Sequence, residues 1–310
     1  VLIAVGMNPF ISSQGFTKIS MITVSIGAII NIILDPIFIY GFKMDVKGAA
    51  LATVISQAIS AIWVLNFLNG DKATLKLKKK NFKINRHIMN SVLLLGLSPF
   101  IMRITESFII IAFNSSLQKY GGDVAVGAMT ILSVAMQFTF LPLLGFTQGA
   151  QPIMSYNYGA ENKERMRDTF KYLCISTVTY SILFWLFIMI APGLFAKLFT
   201  SDKAIIDVAT RGLRIYMGGA FALGIQVACQ HTFIALGNAR TSLFLALLRK
   251  IFLLIPLVII LPAILSNKIF AVLLAELISD MVASTVTATL FYKEFNSILG
   301  NMPNIPSMQQ

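Results

Sequence analysis

Met21 to Tyr40 read MITVSIGAIINIILDPIFIY, twenty residues in which Asp35 is the single charged group. A helix rises about 1.5 Å per residue, so a run of this length covers about 30 Å, the thickness of a bilayer's hydrocarbon core. The stretch reads as a membrane span with a carboxylate and a proline set into it. Pro36 has no N–H, so it leaves the Ile32 carbonyl without its helical partner. A loosened carbonyl beside an acid in apolar surroundings makes Asp35 a candidate proton or cation carrier, because ionisable groups inside a membrane are costly.

Outward from this block the pattern repeats. Spanning helices are expected over 17–41, 47–69, 88–118, 122–156, 166–191, 204–235, 239–263 and 268–292, preceded by an apolar piece over 1–13 that is too short to cross. Breakers separate them: Gly15, Gly41, Gly121-Gly122, Gly159, Pro192-Gly193, Gly237-Asn238 and Ser266-Asn267. The fold class is therefore all-α, a polytopic membrane protein. Composition agrees, with 56% hydrophobic and 12% charged residues and a mean hydropathy of +0.78, against about 25% charged in soluble domains.

The net charge of +12 would suggest nucleic acid in a soluble chain. Here the bases cluster between apolar blocks, which is a topology signal, and no nucleic-acid partner is expected. Lys72, Lys76, Lys78, Lys79, Lys80, Lys83 and Arg86 lie in one connection, and Lys163, Arg165, Arg167 and Lys171 in another on the same side. That side is expected to be the cytoplasm, with Lys197, Lys203, Arg211 and Arg214 as the exception. Cys174 and Cys229 sit in apolar blocks, and no Cys/His cluster points to a metal or cofactor. The absence of HExxH, GxSxG and nucleotide-loop motifs argues against an enzyme.

Gln14-Gly15-Phe16-Thr17-Lys18 and Leu236-Gly237-Asn238-Ala239-Arg240 share a form: helix end, glycine, then a base opening a long apolar helix. The glycines are 222 positions apart and six expected helices lie between them, an even number. This predicts a parallel repeat of two pseudo-symmetric bundles. By the same spacing the first half would begin roughly 135 residues before Val1, so about three and a half helices are expected to be missing from this chain.

Gly145 to Ala160 read GFTQGAQPIMSYNYGA, with Arg165 following. This pattern resembles the multidrug and toxic compound extrusion (MATE) transporters. Asn31 to Ile39 (NIILDPIFI) and Val46 to Thr53 (VKGAALAT) carry the same resemblance. It implies a twelve-helix fold of two six-helix bundles, entered here within the fourth helix. Residues 1–70 would be the rest of the first bundle (helices 4–6) and 71–86 a basic cytoplasmic linker. Residues 87–295 would be the second bundle (helices 7–12), and 296–310 a polar, cytoplasmic tail. The implied activity is secondary-active multidrug export by alternating access. Cationic amphipathic compounds would leave against protons or sodium, across a bacterial plasma (inner) membrane, from a monomer that meets only small organic cations and lipids. The resemblance also implies that Asp35 lies in the first bundle's cavity and serves coupling. A glutamate on the seventh helix, here Glu106, binds the cation in some branches. Those branches also use an aspartate on the tenth helix, where 204–235 offers no acid beyond Asp207, so the second cation site departs from the pattern.

Other residues carry weaker expectations. Glu106 either pairs with Arg103 one turn away or faces a cavity. Glu276 and Asp280 share a face and are expected to pair with Arg249 or Lys250. Asn31, Met102, Met129, Met136, Phe138, Met217 and Phe221 are candidates to line a substrate cavity, since methionine and aromatics adapt to varied cations. Pro36, Pro99, Pro142 and Gly145 are candidate kinks or gates. Two rival functions stand beside the exporter: a lipid-linked oligosaccharide flippase of the same superfamily, and a non-catalytic membrane scaffold.

Overall fold

The computed structural model describes residues 2–76 and 85–301, and every regular element among them is helical. Lys78, Lys79, Lys80 and Lys83 of the basic connection, and residues 302–310, lie outside the described residues, as do the side chains of Pro99, Met102 and Arg103. Two compact units divide at Arg86 and His87.

The first unit holds α1 (Leu2–Ser13), α2 (Thr17–Pro36) and α3 (Asp45–Asn69). Five residues of π-helix, Ile37–Gly41, extend α2 beyond its proline. α2 and α3 meet along small residues: Thr23, Gly27, Ser56 and Ser60 are buried, and Ser60 Oγ donates to the Thr23 carbonyl at 3.2 Å. Small side chains let membrane helices approach closely where no hydrophobic effect pulls them together. Ile11, Val64 and Leu68 form a small core where α1 meets this pair.

The second unit begins with α4 (Arg86–Gly159), followed by α5 (Lys163–Ile190), α6 (Pro192–Lys197) and α7 (Lys203–Tyr216). Next come α8 (Leu223–Ala235), α9 (Ala239–Leu247), the π-helical segment Leu248–Leu254, α10 (Ile255–Ile264) and α11 (Lys268–Asn301). A straight α4 of 74 residues would be about 110 Å long. It is instead two helices, divided where Gly122 leaves helical dihedrals at φ 61° and ψ −157°. With α7 and α8 taken as one span bent by 48°, the long segments match the eight expected from sequence. Among the described residues six helices meet the length and hydropathy of a span, or seven with the bent pair. Ile190, Ile259 and Leu183 stand exposed, as lipid-facing side chains do.

One boundary corrects the sequence reading. α11 continues to Asn301, so 296–301 is helix and not polar tail. Phe291, Phe295 and Leu299 recur every four residues and are buried against Met154, Met166 and Phe233. Its last turns are therefore amphipathic, and a hydropathy count stops short of them. Pro142 and Gly145 keep helical dihedrals within α4, where Gly122 is the residue that departs from them.

The predicted repeat has a local counterpart. In the first turn Gly15 N–H bonds to Ser12 O and Phe16 N–H to Ile11 O. In the second, Gly237 N–H bonds to Ile234 O and Asn238 N–H to Phe233 O. Both glycines are left-handed, with φ of 87° and 77°, the backbone that closes a helix in this way and that glycine alone adopts freely. α2 and α9 begin 222 positions apart, at Thr17 and Ala239, and α3 and α11 begin within one residue of the same offset.

Candidate functional site

Asp35 stands one residue before Pro36, where α2 passes into the π-helical turn. It is half-buried, and Asn31, one turn earlier, donates to its Oδ1 at 3.2 Å. Ile32 and Ile33 on the same helix are exposed and apolar. The turn beyond is irregular: Phe42 N–H bonds back to Ile37 O, and Met44 N–H to Phe38 O. A single-turn π-helix within a span is a frequent companion of functional sites, because it frees carbonyls and re-aims side chains. Chemically, the arrangement is a carboxylate held by one neutral donor, on a helix whose hydrogen bonding has been interrupted.

The second unit places charge differently. Arg249, on the π-helical segment, is buried with Glu276 and Asp280 of α11. Its guanidinium donates to Asp280 Oδ1 at 2.6 Å and to Glu276 Oε1 at 3.0 Å. Ser279 Oγ donates to the Arg249 carbonyl at 2.7 Å, and the Phe140 ring covers the guanidinium at 5.3 Å. Acids at i and i+4 lie on one helix face, so one planar guanidinium reaches both. The adjacent base turns elsewhere: Lys250 Nζ donates to Glu106 Oε1 on α4 at 2.8 Å. Sequence reasoning offered Arg103 as the partner of Glu106, and the Arg103 side chain lies outside the described residues. Lys250 is 144 positions from Glu106, a pairing that no local spacing could reveal.

The cavity candidates separate. Met129, Met136 and Met217 belong to the packed core of the second unit with Phe113, Leu132 and Leu213. All three are buried, Met217 fully, and methionine fills irregular gaps in such a core. Phe138 and Phe221 are partly exposed; Phe221 meets Trp185 edge-on at 5.4 Å, and the Phe138 carbonyl accepts from Tyr180 at 2.6 Å. Asn31 is beside Asp35, and Met102 is outside the described side chains.

The motif over 145–160 forms one wall of an open groove of about 440 Å³, through Phe146, Gly149, Ile153 and Asn157, facing Arg165 and Tyr172 of α5. Its polar residues also build the turn that follows. Asn157 Nδ2 donates to Ile153 O at 2.8 Å, and Ser155 Oγ to Ala235 O at 2.8 Å. Asn162 then caps α5 by accepting from Arg165 N–H at 3.0 Å. Among the described residues no group of His, Cys, Asp and Glu could hold a metal ion.

Comparison with known proteins adds the following. The family model MatE matches residues 99–260. The chain is similar to the "Multidrug export protein MepA" of Staphylococcus aureus (strain N315), 29% identical over 286 residues, covering 92% of this chain and 63% of that one. The protein of the same name from Staphylococcus haemolyticus (strain JCSC1435) is also 29% identical with the same coverage. The chain thus spans about 63% of the length of these curated relatives. Among solved structures, "Crystal structure of MATE in the straight conformation" gives a TM-score of 0.85 at 22% identity, covering 93% of this chain and 64% of that one. "Outward-facing conformation of a multidrug resistance MATE family transporter of the MOP superfamily" gives 0.84 at 22% identity, with the same coverage. These last two establish the fold.

Proposed function

This chain belongs to the MatE family of transporters, and on that premise we propose that it works as a secondary-active exporter of cationic, amphipathic compounds. It is a multi-pass membrane protein and not an enzyme. The driving ion is a proton or sodium, and access alternates between the two membrane faces. One observation carries the coupling role: Asp35 is an acid in an apolar span, bonded to neutral Asn31 and set beside the break at Pro36. Binding a cation or proton there neutralises a charge that the bilayer disfavours, at the point where the helix is freest to change shape.

The flippase reading loses support from the second unit. A pyrophosphate-linked cargo needs unspent cations in its cavity, and Arg249 and Lys250 are already committed to Glu276, Asp280 and Glu106. A scaffold has no use for a carboxylate at Asp35. The basic connection over 71–86 and the C-terminus face the cytoplasm, following the lysine and arginine asymmetry, and the chain acts as a monomer among lipids. Labelling of a cysteine placed at Thr74 by a membrane-impermeant reagent reads this orientation: it reacts only in inside-out vesicles.

The function itself is tested with the full-length protein in vesicles, following efflux of a fluorescent organic cation under a proton gradient and, separately, a sodium gradient. Efflux that follows one gradient and is lost in Asp35→Asn supports the exporter and names the ion. Wild-type protein that moves no cation under either gradient ends the drug-export reading.

A further inference from the structure

The open groove between the end of α4 and the start of α5 is made by one face of each helix. Phe146, Gly149, Ile153 and Asn157 lie three or four positions apart on α4, and Arg165, Asp168, Tyr172 and Ser176 repeat that spacing on α5. The steps from Phe146 to Asn157 rise about 16 Å, close to the hydrocarbon depth of one leaflet, about 15 Å.

The lining changes along that length. Toward the middle of the span it is Phe146, Gly149 and Ile153, and a Cβ added to Gly149 would meet nothing within 4 Å. Toward the turn at Gly159 it is Asn157, Arg165 and Asp168. Tyr156, Tyr158 and Tyr172 stand exposed around this end, as aromatic residues do at a membrane–water boundary. The groove therefore has a polar mouth at the boundary and an apolar stem inside the membrane.

The mouth holds one base and one acid. Arg165 and Asp168 are both exposed, and among the described residues neither makes an ion pair. The bonds of Arg165 run through its backbone: its N–H donates to Asn162 Oδ1 and its carbonyl accepts from Thr169 Oγ1. At i and i+3 the two side chains share a helix face, so a ligand seated there meets a guanidinium and a carboxylate side by side. A guanidinium takes a phosphate through parallel hydrogen bonds, and a carboxylate accepts from an ammonium. An anionic amphiphile leaves Asp168 without a partner and a cationic one leaves Arg165 without one. A zwitterion satisfies both. The other charges of this turn, Glu161, Lys163, Glu164, Arg167 and Lys171, do not line the groove.

We infer that this groove seats one zwitterionic phospholipid of the ethanolamine kind, with its phosphate on Arg165, its ammonium on Asp168 and one acyl chain along Phe146, Gly149 and Ile153. The chain fills the space that Gly149 leaves open between the two helices.

The test is native mass spectrometry of the full-length protein, titrated in detergent with phosphatidylethanolamine and, separately, with phosphatidylglycerol. The wild type is expected to keep one phosphatidylethanolamine in preference to phosphatidylglycerol. Asp168→Asn should weaken phosphatidylethanolamine about threefold, the worth of one exposed charge pair, and erase the preference. Arg165→Gln should weaken both lipids. Gly149→Leu fills the stem and should lose both without lowering the unfolding midpoint; if it fails to fold, the two exposed charge variants still decide. Phosphatidylglycerol bound more tightly by the wild type, or phosphatidylethanolamine binding unchanged in Asp168→Asn, overturns the zwitterion. Lipid binding at the wild-type level in a folded Gly149→Leu protein overturns the groove. A fluorescent organic cation that displaces the lipid from the wild type overturns the assignment in favour of a transported compound. The inference does not rest on the exporter reading, and Asp35→Asn should bind lipid as the wild type does.

Discussion

The α2–α3 pair of the first unit and the helices from α9 to α11 of the second begin in the same register and are joined by opposite chemistry. The first pair closes over Gly27, with one neutral bond from Ser60 to the Thr23 carbonyl, and carries its acid, Asp35, near the far end of α2. The second puts Arg249 where the first has Gly27 and ties it to Glu276 and Asp280. At the offset of Asp35 it has Leu257. A buried, bonded charge cluster holds helices in one arrangement, because removing a member strands the others. A half-buried acid with one neutral partner can change its charge with little effect on packing. The comparison assigns fixing to the second unit and switching to the first.

Arg249→Met should break this contrast most severely. It strands two carboxylates in the interior and should cost about 3–5 kcal/mol, read as a lower unfolding midpoint in detergent. Adding Glu276→Gln and Asp280→Asn to it should recover most of the loss, since a neutral cluster strands nothing. Without that recovery, the guanidinium matters for something other than charge.

Gly219→Ala should come next. Its new methyl group meets Asp280 Cβ and the Leu277 carbonyl, and forcing atoms into a packed seam costs about 1–3 kcal/mol. Gly27→Ala probes the matching helix seam of the first unit. There the obstacle is the Ser60 side chain, which can rotate away and give up its bond to Thr23, a loss of about 1 kcal/mol. A Gly27→Ala penalty larger than that of Gly219→Ala would reverse the ranking of the two seams.

Much of this was legible in the sequence. The spans are long apolar runs punctuated by Gly15, Gly41, Gly122, Gly159 and Gly237, and the break within 203–235 falls at the Gly218-Gly219 pair. The i,i+4 spacing of Glu276 and Asp280 announced a shared partner. What stayed hidden depends on tertiary packing. No residue pattern marks Leu248–Leu254 as π-helical, yet that segment aims Arg249 and Lys250 at different helices. Glu106 had a base one turn away, and its described partner comes from across the bundle. Met129, Met136 and Met217 could not be assigned to cavity or core, because methionine serves both. The last turns of α11 were lost because their apolar residues recur at every fourth position among polar ones.

The most direct measurement takes unfolding and efflux from one preparation of Asp35→Asn. The account predicts an unfolding midpoint within the range of exposed-site substitutions, about ±0.5 kcal/mol, together with loss of gradient-driven efflux. Efflux at the wild-type rate from a folded Asp35→Asn protein would contradict it, and would move the search for the coupling group to the charges of the second unit.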